Sequence, residues 1–121
     1  MLQIKRAVIE GLLDAAKHTY PNEFFALLGS KHRNEIVDEV VIVPAIFGKE
    51  HAIMHGQAPV DFGIIGSVHS HPGNSNRPSS ADTNAFPHFG KVHFIISFPF
   101  NIGNAEAYDV RGKKIKWGII E

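Results

Sequence analysis

His69, His71 and Asp82 lie close together in the stretch GSVHSHPGNSNRPSSAD, residues 66–82. It begins as a strand, because Ile64, Ile65 and Val68 are β-branched and follow a loop-like GQAPVDFG segment. Side chains alternate along a strand, so His69 and His71 point one way and Ser70 the other. Pro72 has no N–H to give a ladder and should stop the strand, leaving both imidazoles at its exposed end. A Gly/Asn/Ser/Pro loop then leads into SSADTNAF, a helix start with Asp82 in its first turn. Two imidazoles and a carboxylate thus converge at one strand-to-helix junction. Three protein ligands are what a catalytic zinc uses, with the fourth position left for water. Water bound there ionises near a pKa of ~7 instead of about 15.7.

Each residue alone has a plainer reading. The histidines fit a polar strand end, and Ser79 with Asp82 fits a capping box, although that box prefers Glu or Gln at its fourth position. His-x-His, the proline stop and the aspartate together point to a metal site. Two histidines and one carboxylate also make the facial triad of non-haem Fe(II) enzymes. That triad commonly runs His-x-Asp/Glu with a distant His, whereas here His-x-His is followed by a nearby Asp.

His69-Ser70-His71-Pro72, six residues, Ser79, two residues and Asp82 resembles the JAMM (MPN+) motif of the Mov34/JAB zinc metallopeptidases in every fixed position. That family also has a glutamate on the strand after the first helix, and Glu23 in PNEFFALLGS stands there. The likeness runs from the first helix to the last hairpin and is closest to stand-alone prokaryotic or archaeal members. It implies an α+β fold, a mixed curved β-sheet with flanking helices, cytidine-deaminase-like. It implies one Zn2+ per chain held by His69, His71 and Asp82, with Glu23 as general base and then general acid. It also makes Ser79 a donor to the oxyanion of the substrate, although one hydroxyl can hardly do that and cap a helix at once.

The activity implied is that of a deubiquitinase-like isopeptidase or peptidase. It would cleave after the C-terminal Gly-Gly tail of a ubiquitin-like or small sulfur-carrier protein. Relatives that read ubiquitin-chain linkages carry long insertions around the motif, and the corresponding runs here are short. A processing enzyme for a single modifier is the reading this favours. Other relatives are non-catalytic MPN scaffold modules, but those usually lack the ligands that this chain keeps.

Length and composition narrow the rest. A chain of 121 residues, 44% hydrophobic and 20% charged, reads as one ordinary soluble domain. Twelve basic residues balance twelve acidic ones, so there is no electrostatic footprint for nucleic acid or an anionic membrane. Without cysteine there is no disulfide, thiol nucleophile, Cys-ligated zinc or zinc-deaminase signature. No apolar run approaches the ~20 residues of a membrane span, and Glu10 and Asp14 interrupt any signal-peptide core. A cytoplasmic location is the expectation.

The elements that must position the site read as follows. Residues 4–19 form an amphipathic helix with Val8, Leu12, Ala15, Ala16 and Thr19 on one stripe, ended by Tyr20-Pro21-Asn22. Residues 23–28 form a buried strand closed by Gly29, with Glu23 at its mouth. A polar turn at 31–35 leads to a strand over 36–46, broken at Pro44, and a third strand over 50–55. That third strand is the candidate edge for docking an extended tail. Its His51 and His55 lack the glutamate of H-E-x-x-H and read as surface or substrate-side residues. After the Asp82 helix, residues 92–98 form a buried strand with His93 as a hydrogen-bonded core or edge histidine. Residues 105–110 and 114–120 form a terminal hairpin.

Overall fold

A computed structural model describes residues 1–32, 34–42 and 63–121. The expected strand at 50–55 with His51 and His55, the end of the 36–46 strand and its Pro44 break lie outside the described residues.

The chain opens with strand β1 (Leu2–Lys5) and continues directly into helix α1 (Arg6–Thr19). The single helix expected over 4–19 is therefore a strand and a helix. Leu2 and Ile4 are buried and alternate with half-buried Gln3 and Lys5, which is strand periodicity. On α1 the buried residues are Ile9, Leu12, Leu13 and Ala16, a stripe turned slightly from the expected one. Strand β2 (Phe25–Gly29) begins two residues after Glu23. The long second strand is instead two short ones, β3 (Ile36–Val37) and β4 (Glu39–Val41), which part at Asp38 and join different sheets.

Strand β5 (Ile64–His71) ends at the residue before Pro72, as expected from the missing N–H. Helix α2 (Ser80–Ala85), a 3₁₀ turn (Phe86–His88) and strand β6 (Val92–Ser97) follow. A second 3₁₀ turn (Ile102–Asn104) then leads to β7 (Ala105–Tyr108), and β8 (Trp117–Ile120) ends the order. The described strands form a five-stranded sheet in the order β4-β2-β5-β6-β7 and a three-stranded sheet in the order β3-β1-β8. The fold is α+β, with two sheets where one curved sheet was expected.

The terminal hairpin only begins. Ile115 N–H donates to the Ala107 carbonyl and Tyr108 bridges to Lys114, but β8 then leaves to pair in parallel with β1. Trp117 packs edge-on against Phe94 of β6, ring centroids 5.1 Å apart, and so joins the two sheets.

Alternation along the central strands sorts the molecule into two faces. Val68 of β5 and Phe94 and Ile96 of β6 are buried against α1 and the small sheet, in one cluster with Ile4, Ile9 and Leu12. Burying each such side chain contributes about 1.5–3 kcal/mol. The neighbours in sequence, His69 on β5 and Ile95 on β6, face the other way, where Phe86 and Tyr108 cover Ile95. The candidate site lies on that second face. Gly66 lets β5 approach β6 closely enough to present it, since a Cβ there would fall 1.6 Å from the Val92 carbonyl oxygen.

Under this face lies His93, fully buried. The Ser67 hydroxyl and His93 Nδ1 are 2.7 Å apart, and Nε2–H donates to the Gly90 carbonyl at 2.9 Å. Phe86 stacks on the ring with centroids 4.1 Å apart and planes 4° apart. His93 is thus a hydrogen-bonded core histidine, as expected. Burial pushes its pKa down to about 4. The unfolded chain, with a histidine pKa of about 6.5, therefore binds a proton that the folded chain excludes between these values. The neutral ring's contribution is fully present above pH ~6.5 and is lost as pH falls toward 4, by up to about 3 kcal/mol. Urea denaturation across that window should show this loss in the wild type and not in His93→Gln. Equal slopes would contradict it.

Candidate metal centre

Helix α2 owes its start to Ser79. The Ser79 hydroxyl accepts from the Asp82 N–H at 3.1 Å, and the Asp82 carboxylate accepts from the Ser79 N–H at 2.8 Å, a full capping box. The plainer reading of this pair is therefore realised in the structure. It does not exhaust either residue. Capping occupies a lone pair of the Ser79 hydroxyl and leaves its proton free to donate, so the conflict anticipated between cap and donor does not arise. The same box aims Asp82 across the junction, where Oδ1 lies 3.1 Å from His69 Nε2 and Oδ2 lies 3.2 Å from His71 Nε2.

The two imidazoles share a face of β5, as alternation requires, and their Nε2 atoms are 3.1 Å apart. The Nδ1–H of His71 donates to the Ser75 carbonyl at 2.9 Å. This fixes the neutral tautomer with a bare lone pair on Nε2, which faces a carboxylate oxygen and another imidazole nitrogen. Such a cluster of acceptors needs a cation among them. In the absence of metal a proton serves. The hydrogen bond to Asp82 raises the His71 pKa, against the opposing effect of burial. Burial pushes Asp82 up, but the bonds from both imidazoles and the Ser79 backbone outweigh it and hold the carboxyl far below its ordinary range.

A metal ion fits the same arrangement. One ligand atom from each of His69, His71 and Asp82 lies within 4.8 Å of the others, the one such grouping able to hold a metal ion among the described residues. Donors at 2.0–2.2 Å around a tetrahedral ion sit roughly 3.3 Å apart, close to the separations found here. His71, with its second nitrogen bonded to a backbone carbonyl, has the outer contact typical of metal-bound histidines.

Glu23 is exposed and lies in the segment between α1 and β2. Its position relative to the histidines is set by backbone pairing. Phe25 pairs with His69, the Ser70 N–H donates to the Phe24 carbonyl at 2.9 Å, and the Phe24 N–H donates to the Ser70 hydroxyl at 2.8 Å. Glu23 immediately precedes Phe24, which these bonds tie to Ser70, the residue between the two histidines. Its charge also acts on His71, favouring the protonated ring.

Sequence reasoning did not find the residues that hold this arrangement. Ser75 acts through its carbonyl, and a backbone acceptor leaves no residue-type signal. Ser70 reads only as the spacer between two histidines. Asn76 donates to the Asn104 carbonyl at 3.0 Å and the Tyr108 hydroxyl donates to the Asn76 carbonyl at 2.8 Å, tying down the loop that carries Ser75. These long-range partners are invisible in a local window.

The sequence model of prokaryotic homologs of the JAB domain matches residues 5–110. The chain belongs to this JAB-domain family. A protein of Haloferax volcanii named a probable metalloprotease is 34% identical over 111 residues, covering 84% of this chain and 68% of its own length. A solved structure described as JAMM, a metalloprotease-like zinc site in the proteasome and signalosome, has a TM-score of 0.79 at 30% identity, with 100% of this chain and 99% of the other covered. A JAB1/MPN domain protein from Archaeoglobus fulgidus has a TM-score of 0.82 at 32% identity, covering 99% and 100%. The likeness to the JAMM metallopeptidases is therefore one of family and fold, and the JAB-family chain has metalloprotease-like relatives. Among its described residues no helix is long and apolar enough to cross a membrane.

Proposed function

We propose that this chain is a zinc-dependent peptidase or isopeptidase that cleaves after the Gly-Gly tail of a ubiquitin-like or small sulfur-carrier protein. The observation that carries the catalytic part is the convergence of His69 Nε2, His71 Nε2 and the Asp82 carboxylate, with the His71 tautomer set so that a lone pair points inward. The probable metalloprotease of Haloferax volcanii supports the same class. These three side chains would hold one zinc ion per chain. When bound there, zinc supplies Lewis acidity toward a carbonyl and hydroxide near neutral pH.

Glu23 moves the proton. Open to solvent and near enough for its charge to act on His71, its carboxylate takes a proton from the attacking water and returns it to the leaving amine. Ser79 remains helix cap through its oxygen while its hydroxyl proton donates to negative charge developing on the scissile carbonyl oxygen. Ser79→Ala should lower kcat by on the order of 10²-fold with KM little changed. A cap alone would instead cost about 1 kcal/mol of stability and leave the folded enzyme active. Steady-state kinetics alongside denaturation separate the two.

The tail part of the reading rests on glycine. Two glycines would suit a narrow approach beside a closely packed backbone, where a side chain would collide. A modifier ending in Gly-Gly and fused to an acceptor protein should be cleaved, with activity lost to a chelator and restored by zinc. Ala-Ala in place of Gly-Gly should block cleavage, and a different acceptor should change the rate only modestly. Equal cleavage of Ala-Ala tails with strict choice of acceptor would overturn the proposal.

A further inference from the structure

We infer that the turn after β7 and the helix carrying Asp82 together form a second binding site, one that takes an acidic side chain of a polypeptide. A depression of about 360 Å³ is walled by Arg77, Pro78, Thr83, Tyr108, Arg111 and Lys114. Three of these are cations and no lining residue is acidic, in a chain whose formal charges cancel. Among the described residues the guanidinium groups of Arg77 and Arg111 make no ion pair, and Lys114 Nζ lies 3.5 Å from Glu106 Oε2. Asp109, the acid nearest in sequence to Arg111, is already engaged. Its Oδ1 accepts from the backbone N–H groups of Arg111 at 2.9 Å and Lys113 at 3.0 Å, closing the turn.

The packing fixes the backbone that carries these cations beside the candidate metal centre. Gly112 has φ +81°, and a Cβ on it would fall 2.7 Å from Thr83 Cγ2 and 3.4 Å from Pro78 Cγ. The turn can lie against Pro78 and Thr83 because this residue is glycine. Those two residues adjoin Ser79 and Asp82 in sequence. The Tyr108 hydroxyl, bonded to the Asn76 carbonyl, ties the backbone next to Arg77 to β7. The cationic depression and the ligand helix therefore share one rigid support.

The chemistry favours a carboxylate. Arginine presents a planar fork that pairs with a carboxylate through two parallel hydrogen bonds, and two arginines line this one depression. A single-stranded nucleic acid is held differently, by a basic groove that follows the backbone and by aromatic stacking platforms. The cations here close on one depression, and the chain has no excess of positive charge. As a grip on substrate, the site rests on the proposed peptidase activity. It would let a domain with short loops around its motif prefer acidic substrate proteins. Binding itself does not depend on that reading.

The test uses the full chain loaded with metal and fluorescence anisotropy of a labelled glutamate-rich peptide, its glutamine counterpart and an oligothymidylate. The glutamate peptide should bind, weaken as salt is raised, and lose roughly tenfold or more in affinity in Arg77→Gln/Arg111→Gln. The glutamine peptide should not bind. Arg77→Lys/Arg111→Lys should recover part of the affinity, because the charge remains and the fork is gone. Both variants alter exposed residues, and circular dichroism should match the wild type. Equal binding by the Gln variant overturns the site, as does tighter, arginine-dependent binding of the oligothymidylate. A chain that cleaves no Gly-Gly tail yet binds the glutamate peptide through these arginines refutes the peptidase and keeps the site. A chain that cleaves but binds the peptide equally well in every variant refutes the site alone.

Discussion

Glu23→Gln is expected to keep its metal and its fold and to lose turnover by on the order of 10²–10⁴-fold. The glutamate is exposed, so the amide is accommodated without burying an unpaired group. The two hydrogen bonds between Phe24 and Ser70, one to the Phe24 carbonyl and one to the Ser70 hydroxyl, are untouched by the substitution. What disappears is the ability to accept and return a proton. Turnover on a Gly-Gly-tailed substrate, measured on protein whose metal content is determined in parallel, checks this. Loss of metal from the variant would make Glu23 a ligand, and unchanged turnover would remove it from the mechanism.

Asp82→Ala should abolish both metal retention and activity, and its stability effect should split into two parts. Without metal, loss of the capping carboxylate costs about 1 kcal/mol. With zinc in hundredfold excess over its dissociation constant, the wild type gains a further ~2.7 kcal/mol that the variant should not share. A zinc titration followed by thermal unfolding reads the difference directly. Tm should rise with zinc in the wild type and stay flat in Asp82→Ala and in His71→Ala. A zinc-dependent rise of equal size in all three proteins would place the ion elsewhere.

The site was more legible than the frame around it. Alternation, a proline and a helix-start pattern all act within a few residues, so His69, His71, Ser79 and Asp82 could be put together from local rules, and the structure brings their atoms within bonding range. Glu23 was reachable only through the family likeness, because its place depends on pairing with a strand more than forty residues away. The frame failed where long-range pairing overrides local pattern. Ile4 fits a helical stripe with Val8 and Leu12 as well as it fits a strand, and it is β8, from the far end of the chain, that draws it into β1. The turn at Asp109–Lys113 signals a hairpin correctly, yet nothing local says that Trp117 will leave for the other sheet. Likewise the apolar run after Ile36 does not reveal that Asp38 parts it between two sheets.

The most direct measurement is elemental analysis of the native protein, purified untagged and without added metal, beside His71→Ala prepared identically. The expected result is about one zinc per chain in the native protein and none in the variant, as three convergent ligands would require. Native protein without stoichiometric metal, or His71→Ala with an equal amount, would contradict a metal centre at His69, His71 and Asp82.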